Sequence, residues 1–138
     1  MNTITQTRAE ANADIVRRGY HAFNSADIQT LNELIAPQAS WHTPGHSPMA
    51  GDHRGRDAVL AQFGRYGGQT QGTFRAELKD VLANEDGRVI ALHRNSGQRN
   101  GRSLGVDCCI EFVVRDGKVV SGREYFFDLH AWDAFWAA

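Results

Sequence analysis

Cysteine is scarce in this sequence: Cys108 and Cys109 are the whole complement, and they are adjacent. On a strand their side chains would point to opposite faces, so a disulfide between them would be strained. A disulfide framework and a cysteine zinc site are both excluded. No apolar run approaches the ~20 residues that span a bilayer, so no membrane partner is expected. The first residues, Met1 to Glu10, are polar and lack the apolar stretch of a signal peptide, which leads us to expect a cytoplasmic setting. Charge of one sign is also missing, with fifteen Lys and Arg against sixteen Asp and Glu. That balance argues against a nucleic-acid partner, which would need clustered cations to meet phosphates. Thirteen of the fifteen basic residues are Arg, from which nothing functional follows. There is no internal repeat and no low-complexity linker.

What is present fits one packed domain: 138 residues, 41% apolar and 22% charged. Residues 1–7 read as a frayed tail and 8–138 as the domain. From Arg8 to Phe23 the apolar positions Ile15, Val16, Tyr20 and Phe23 recur at helical spacing. Ser25 is placed to cap a second helix carrying Ile28, Leu31, Leu34 and Ile35, which Pro37 ends. A short strand centres on Trp41. Residues 43–54 hold two prolines and two histidines and read as an irregular surface loop. A third helix runs from Arg56 to Tyr66, stopped by Gly67-Gly68. Segments 73–83, 88–97, 102–114 and 118–128 alternate like strands. They are joined at Asp86-Gly87, Asn100-Gly101 and Asp116-Gly117, pairs that favour tight hairpin turns. The prediction is a four-stranded antiparallel meander. Trp132, Phe135 and Trp136 follow as a short aromatic helix or tail. The fold class is α+β, with helices on one face of a curved sheet.

This order resembles the nuclear transport factor 2-like superfamily. The likeness is carried by Ile15-Val-Arg-Arg-Gly-Tyr-His-Ala-Phe-Asn-Ser-Ala-Asp27, Trp41-His-Thr-Pro-Gly45, Gly51-Asp-His-Arg-Gly-Arg-Asp57 and Asp116-Gly-Lys-Val-Val120. Within it the chain is most similar to the SnoaL-like branch, relatives of ketosteroid isomerases, polyketide cyclases and limonene epoxide hydrolases. The resemblance covers roughly residues 10 to 136. It implies a cone-shaped partial barrel with an apolar pocket between three helices and the sheet, and a homodimer formed through the outer sheet face. It does not settle function, because the fold hosts isomerases, cyclases, hydrolases, dehydratases and binding modules. The positions that carry ketosteroid isomerase chemistry fall on Gly19, Thr43 and a site near Ile110, so that chemistry is not expected. No strand carries the Arg-x-Asp of the epoxide hydrolases, although Asp128 matches their second aspartate.

Strand parity gives an independent view of the pocket. A two-residue turn at Asn100-Gly101 pairs Arg99 with Arg102 and sets His93 opposite Cys108, Asn95 opposite Val106 and Ala91 opposite Ile110. The apolar face with Leu104, Val106, Cys108, Ile110 and Phe112 should be concave, so His93 and Asn95 point in and Arg94, Asp107 and Glu111 point out. The last hairpin leaves two registers open. A two-residue turn puts Arg123, Tyr125 and Phe127 inside. A three-residue turn with Gly117 as a glycine bulge puts Gly122, Glu124, Phe126 and Asp128 inside. The resemblance favours the second, which sets His93, Cys108 and Glu124 in one row across three strands.

An apolar wall raises a carboxyl pKa and lowers a histidine pKa, bringing both towards neutrality. His93 with Glu124 or Asp128 is therefore the candidate acid-base set for enolisation, cyclisation or dehydration, needing no cofactor and no metal. The candidate substrate-binding residues are Tyr20, Trp41, Thr43, Asn95, Cys108, Ile110 and Phe126. Tyr20 would hold an oxyanion, or serve only as a core aromatic. Trp41 is expected as pocket wall without a chemical role, and Cys108 as a small hydrophobe rather than a nucleophile. His42, His46 and His53 lie within twelve residues, but on a loop without the geometry of a zinc site, and are expected to form part of a lid instead. The expected substrate is an apolar, oxygenated small molecule of polyketide or terpenoid type. The competing reading is a non-catalytic module of the same fold that binds a hydrophobic ligand or a partner.

Overall fold

A computed structural model describes residues 6–138; residues 1–5 of the expected tail lie outside the described residues. Helix α1 (Arg8–Asn24) begins at Thr7, whose hydroxyl accepts the Glu10 amide, and it turns Val16 and Tyr20 to the core. Its last residue, Asn24, pairs through its amide with both backbone groups of Ala76, at 2.8 and 2.9 Å. Helix α2 (Ile28–Leu34) is capped by Asp27, not by the expected Ser25, which closes α1 by donating its hydroxyl to His21 O. Strand β1 (Ile35–Thr43) follows at once and absorbs Pro37. The proline falls where the pairing of β1 slips between Ile35 and Ser40, a place that tolerates a missing donor.

The expected irregular loop contains an edge strand, β2 (Gly51–Arg54), pairing antiparallel with Ser40–Thr43. After α3 (Arg56–Gly68) come β3 (Arg75–Ala83), β4 (Arg88–Arg99), β5 (Arg102–Arg115) and β6 (Lys118–Phe126), the expected meander, and α4 (Leu129–Trp136). The sheet order is β2-β1-β6-β5-β4-β3. Because β1 runs parallel to β6, the six-stranded sheet is mixed rather than purely antiparallel, and among the described residues four helices accompany it, the expected aromatic segment forming the fourth. Among the described residues no helix is long and apolar enough to cross a membrane.

At Asn100-Gly101 both residues have positive φ (51° and 76°), as do Asp116-Gly117 (51° and 75°), the signature of a tight type I′ turn. The turn at Asp86-Gly87 is wider and is organised by Asn84, whose Oδ1 accepts the Asp86 and Arg88 amides. β4 and β5 pair in the register expected from parity, with His93 opposite Cys108 and Asn95 opposite Val106.

The last hairpin takes the second expected register, the one the resemblance favours, but reaches it by a different device. Its turn has two residues, pairing Arg115 with Lys118, yet Gly122, Glu124 and Phe126 face inward. The parity change comes from a bulge: Val114 pairs with Val119 but Val113 with Ser121, leaving Val120 as the extra residue. In this register Ile110 faces Glu124 and Cys108 faces Phe126, so the expected row of His93, Cys108 and Glu124 is displaced by one pair.

The concave face packs on α1 and α2 around Val16, Tyr20, Leu31, Ile110 and Phe112. A second aromatic cluster lies beneath α4, where Trp132 stacks on Phe126 with ring centroids 3.9 Å apart. Arg99 and Arg102 donate to the carbonyls of Phe135 and Ala137, satisfying the end of α4 and holding it against the β4–β5 hairpin.

Candidate functional site

An apolar cavity of about 80 Å³ lies between the helices and the concave sheet face. Two groups of polar side chains line it, and a third lies apart from it. The first centres on Glu124, delivered from β6 by the Val120 bulge and 4% exposed. One of its oxygens, Oε1, accepts from Trp41 Nε1 at 2.7 Å, Thr43 Oγ1 at 2.7 Å and Tyr66 Oη at 2.9 Å. The other, Oε2, takes no hydrogen bond from the described residues, and Glu124 lines the cavity. Burial pushes the Glu124 carboxyl above its ordinary value, while the Trp41, Thr43 and Tyr66 bonds pull it down. Desolvation wins, so the group holds a proton more readily than a surface glutamate.

Trp41 can reach Glu124 because Gly122, its partner across the parallel β1–β6 pair, has no side chain. A Cβ there would stand 2.2 Å from the indole Cζ3. Gln62 on α3 supports the group from behind, donating to Tyr66 Oη at 3.1 Å and to Met49 O at 2.9 Å.

The second group runs Tyr20–His93–Asn95. Tyr20 Oη lies 2.6 Å from His93 Nδ1, and His93 Nε2 lies 2.8 Å from the Asn95 amide oxygen. All three residues line the cavity. Burial drives His93 down to about 4, so the imidazole is neutral at pH 7 and donates through one nitrogen only. Burial, with Cys108 and Glu124 nearby, raises Tyr20 well above the ordinary phenol value, so its hydroxyl stays protonated. Two proton arrangements fit these distances. In one, Tyr20 donates to Nδ1 and Nε2–H donates to Asn95, whose buried Nδ2 is then unpartnered. With the Asn95 amide turned over, Nδ2 donates to Nε2, Nδ1–H donates to Tyr20, and the Tyr20 hydroxyl proton is free for a ligand. The second arrangement satisfies the amide donor, and an unpaired carbonyl oxygen is the better tolerated vacancy.

The third polar group is the His loop, and it lies elsewhere. His42 pairs with Asp52 at 2.6 Å in a polar depression on the outer sheet face, beside Arg54 and Arg123. Among the described residues no three His, Cys, Asp or Glu side chains converge as metal ligands.

Of the candidate catalytic residues, His93 and Glu124 therefore reach the cavity and Asp128 does not. β6 ends at Phe126, and Asp128 is exposed, capping α4 by accepting the Ala131 amide at 2.9 Å. Among the candidate binding residues, Tyr20, Trp41, Asn95 and Ile110 line the cavity. Thr43 acts one step back, through Glu124. Cys108 is buried behind the wall with its thiol pKa raised, and Phe126 packs on Trp132. Trp41 is more than a wall, since it donates to the carboxylate. Tyr66 and Gln62 escaped the sequence reading. Both fall on the face of α3 that holds Val59, a signal hidden because glutamine and tyrosine read as surface residues.

The family model of the SnoaL-like domain matches residues 16–122. The chain belongs to the SnoaL-like family. It is 36% identical over 128 residues to an uncharacterised protein of Mycobacterium tuberculosis, spanning 93% of this chain and 98% of the relative. Among solved structures it is similar to Bal32a from a soil-derived mobile gene cassette, with 60% identity, TM-score 0.93, and coverage of 94% of this chain and 99% of that one. It is also similar to IdmH of Streptomyces antibioticus, described as a candidate polyketide cyclase, at 25% identity and TM-score 0.72, covering 85% and 92%. An NTF2-like protein of Burkholderia xenovorans LB400 matches at 26% identity and TM-score 0.77 over 92% and 97%. The SnoaL-like, NTF2-like resemblance and the α+β fold expected from the sequence are thus borne out.

The site's construction sets two responses, one to substitution and one to acid. Gly122→Ala drives a methyl group into the Trp41 ring, and the SnoaL-like protein should lose about 1–3 kcal/mol of stability. Near-ultraviolet circular dichroism should show a displaced indole, and an unchanged spectrum and melting point would contradict the close approach. The second concerns acid. The unfolded chain protonates His93 near its ordinary 6.5, the folded one near 4, so stability is lost as the pH falls between them, by about 3 kcal/mol for this group. Glu124, whose folded pKa is raised, has the opposite sign and favours folding at low pH. Subtracting the pH–stability curve of His93→Gln from that of the wild type isolates the first effect; parallel curves would refute it.

Proposed function

We propose that this SnoaL-like protein is a cofactor-free proton-transfer enzyme acting on a neutral carbonyl compound, in a reaction of isomerase, cyclase or dehydratase type. The observation that carries the reading is the asymmetry of Glu124, with three donors on Oε1 and none on Oε2. A carboxylate held in this way is fixed in orientation and keeps one oxygen free to remove and return a proton. Its raised pKa moves it towards the working pH, where a general base is most effective. Opposite charge development is met by Tyr20. With Asn95 donating to His93 and His93 to Tyr20, the phenol proton points at the place where an enolate oxygen would form. Glu124 and Tyr20 are the groups that would touch substrate, and His93 and Asn95 position Tyr20.

The cavity limits what reacts there. At about 80 Å³ it is roughly half the ~150 Å³ hollow that takes up benzene. The reacting carbonyl end of a polyketide- or terpenoid-like molecule fits inside, and the rest of such a substrate extends outwards. The ionisable groups on the wall are Glu124, His93, Tyr20 and Tyr66. None supplies a fixed cation, which favours a neutral substrate over an anion.

The test is deuterium exchange at the α-carbon of small ketones in D₂O, followed by proton NMR. Glu124→Gln should slow exchange by at least ~100-fold, and Tyr20→Phe by about 10–100-fold, with folding retained. Exchange that the wild type does not catalyse, with ketone binding intact, would favour the competing reading of a ligand-binding module.

We further propose that the protein works as a homodimer joined through the outer sheet face, where Tyr125 is 48% exposed beside Cys109 and Leu92 and Phe127 is 68% exposed. Tyr125→Glu should convert a dimer to a monomer in sedimentation velocity, and a wild type that sediments as a monomer would remove the proposal.

A further inference from the structure

Gly19 occupies the middle of α1 for no reason that the helix supplies. Its φ is not positive, so the backbone does not require glycine, and a helix-interior glycine is destabilising relative to alanine. Nothing packs where its side chain would be: a Cβ built there meets no atom within 4 Å. Close approach of another element is therefore not the explanation either.

The place of Gly19 on the cavity is informative. Fifteen of the nineteen lining residues are buried, and the four half-buried ones are Ile15, Gly19, Phe23 and Phe63. Ile15, Gly19 and Phe23 are spaced by four residues and share one face of α1. Phe63 stands across from them on α3, its ring centroid 5.5 Å from that of Phe23 and 4.9 Å from that of Trp41. α1 packs on α2 and on the sheet but hardly meets α3. The half-buried residues therefore form a rim over a gap between two helices, and Gly19 is the rim position without a side chain.

We propose that Gly19 is the portal of the cavity, a specificity-determining position whose missing side chain leaves the space at the mouth that compact, neutral, apolar groups occupy. The rim carries no charged side chain, so a charged group passing through it would be desolvated without a partner. The inference deepens the proposed function by naming what enters the same pocket, and rests on that reading for the pocket's use. Ile15 and Phe23 would then guide the part of a longer substrate that remains outside.

The test uses Gly19→Ala and Gly19→Leu with dissolved xenon as the probe, read by NMR shifts of the Ala76 and Ile110 amides, both on the cavity wall. Xenon is inert and takes up apolar cavities, so the measurement is blind to acid-base chemistry. The wild type should show saturable shifts, and Gly19→Leu should weaken xenon binding by about tenfold because the isobutyl group takes up the same space. Gly19→Ala should lie between the two. Its melting temperature should rise by about 2–4 °C, the gain from replacing a helix glycine that packs against nothing. Undiminished xenon shifts in Gly19→Leu, absent saturable shifts in the wild type, or a lower melting temperature in Gly19→Ala would each overturn the portal. Loss of xenon control at Gly19 with ketone exchange intact would sink the portal alone, and the converse would sink the proton-transfer reading alone.

Discussion

A carboxylate buried in an apolar interior is costly, and the hydrogen bonds that compensate it organise much of this molecule. Glu124 draws Trp41 and Thr43 from β1 and Tyr66 from α3 onto one oxygen. Each charge-assisted bond is worth about 1.5–3 kcal/mol, yet the carboxyl pKa remains raised, so desolvation still outweighs the three together. The balance leaves a group that is fixed in place and still ready to change its charge. A glutamate with both oxygens fully bonded would be more stable and less reactive. Removing the donors would leave a neutral acid with no fixed direction.

Everything that brings Glu124 to this place concerns register. A β-strand shows alternate residues to alternate faces, so one extra residue exchanges the two faces of all that follows. Val120 is that residue. Without its bulge the two-residue turn at Asp116-Gly117 would bring Arg123 and Tyr125 into the cone and send Glu124 outside. The same bulge sets Gly122 beneath Trp41, where the missing side chain lets the indole lie across the strand. One backbone irregularity thus selects the buried carboxylate, one of its donors and the apolar residues of the outer face.

The helices of this SnoaL-like protein divide the remaining work. α1 supplies Tyr20 to the polar relay and Gly19 to the rim. α3 supplies Tyr66 and Gln62 to the carboxylate and Phe63 to the rim. α4 closes the other end of the cone with an aromatic cluster in which Tyr66 stacks on Phe74, with ring centroids 5.1 Å apart. Tyr66 therefore belongs both to that cluster and to the donor set of Glu124.

The sequence by itself determined the meander and its turns, the amphipathic α1, the β4–β5 register and hence the inward His93 and Asn95. These are local properties: turn residues fix backbone angles, and the period of apolar residues fixes a face within a few neighbours. It also carried the family likeness, which rests on short motifs close together in the chain. It did not determine the edge strand β2, the cap at Asp27, the exclusion of Asp128 or the parts played by Tyr66 and Gln62. Asp128 was beyond reach because the end of β6 depends on α4 folding back over the sheet. Tyr66 and Gln62 were beyond reach because a polar residue on a helix looks solvated until a buried charge from a strand 58 residues away meets it. Only the tertiary structure decided the last register, since a bulge is set by the packing of neighbouring strands and leaves no mark in a run such as Val119-Val120.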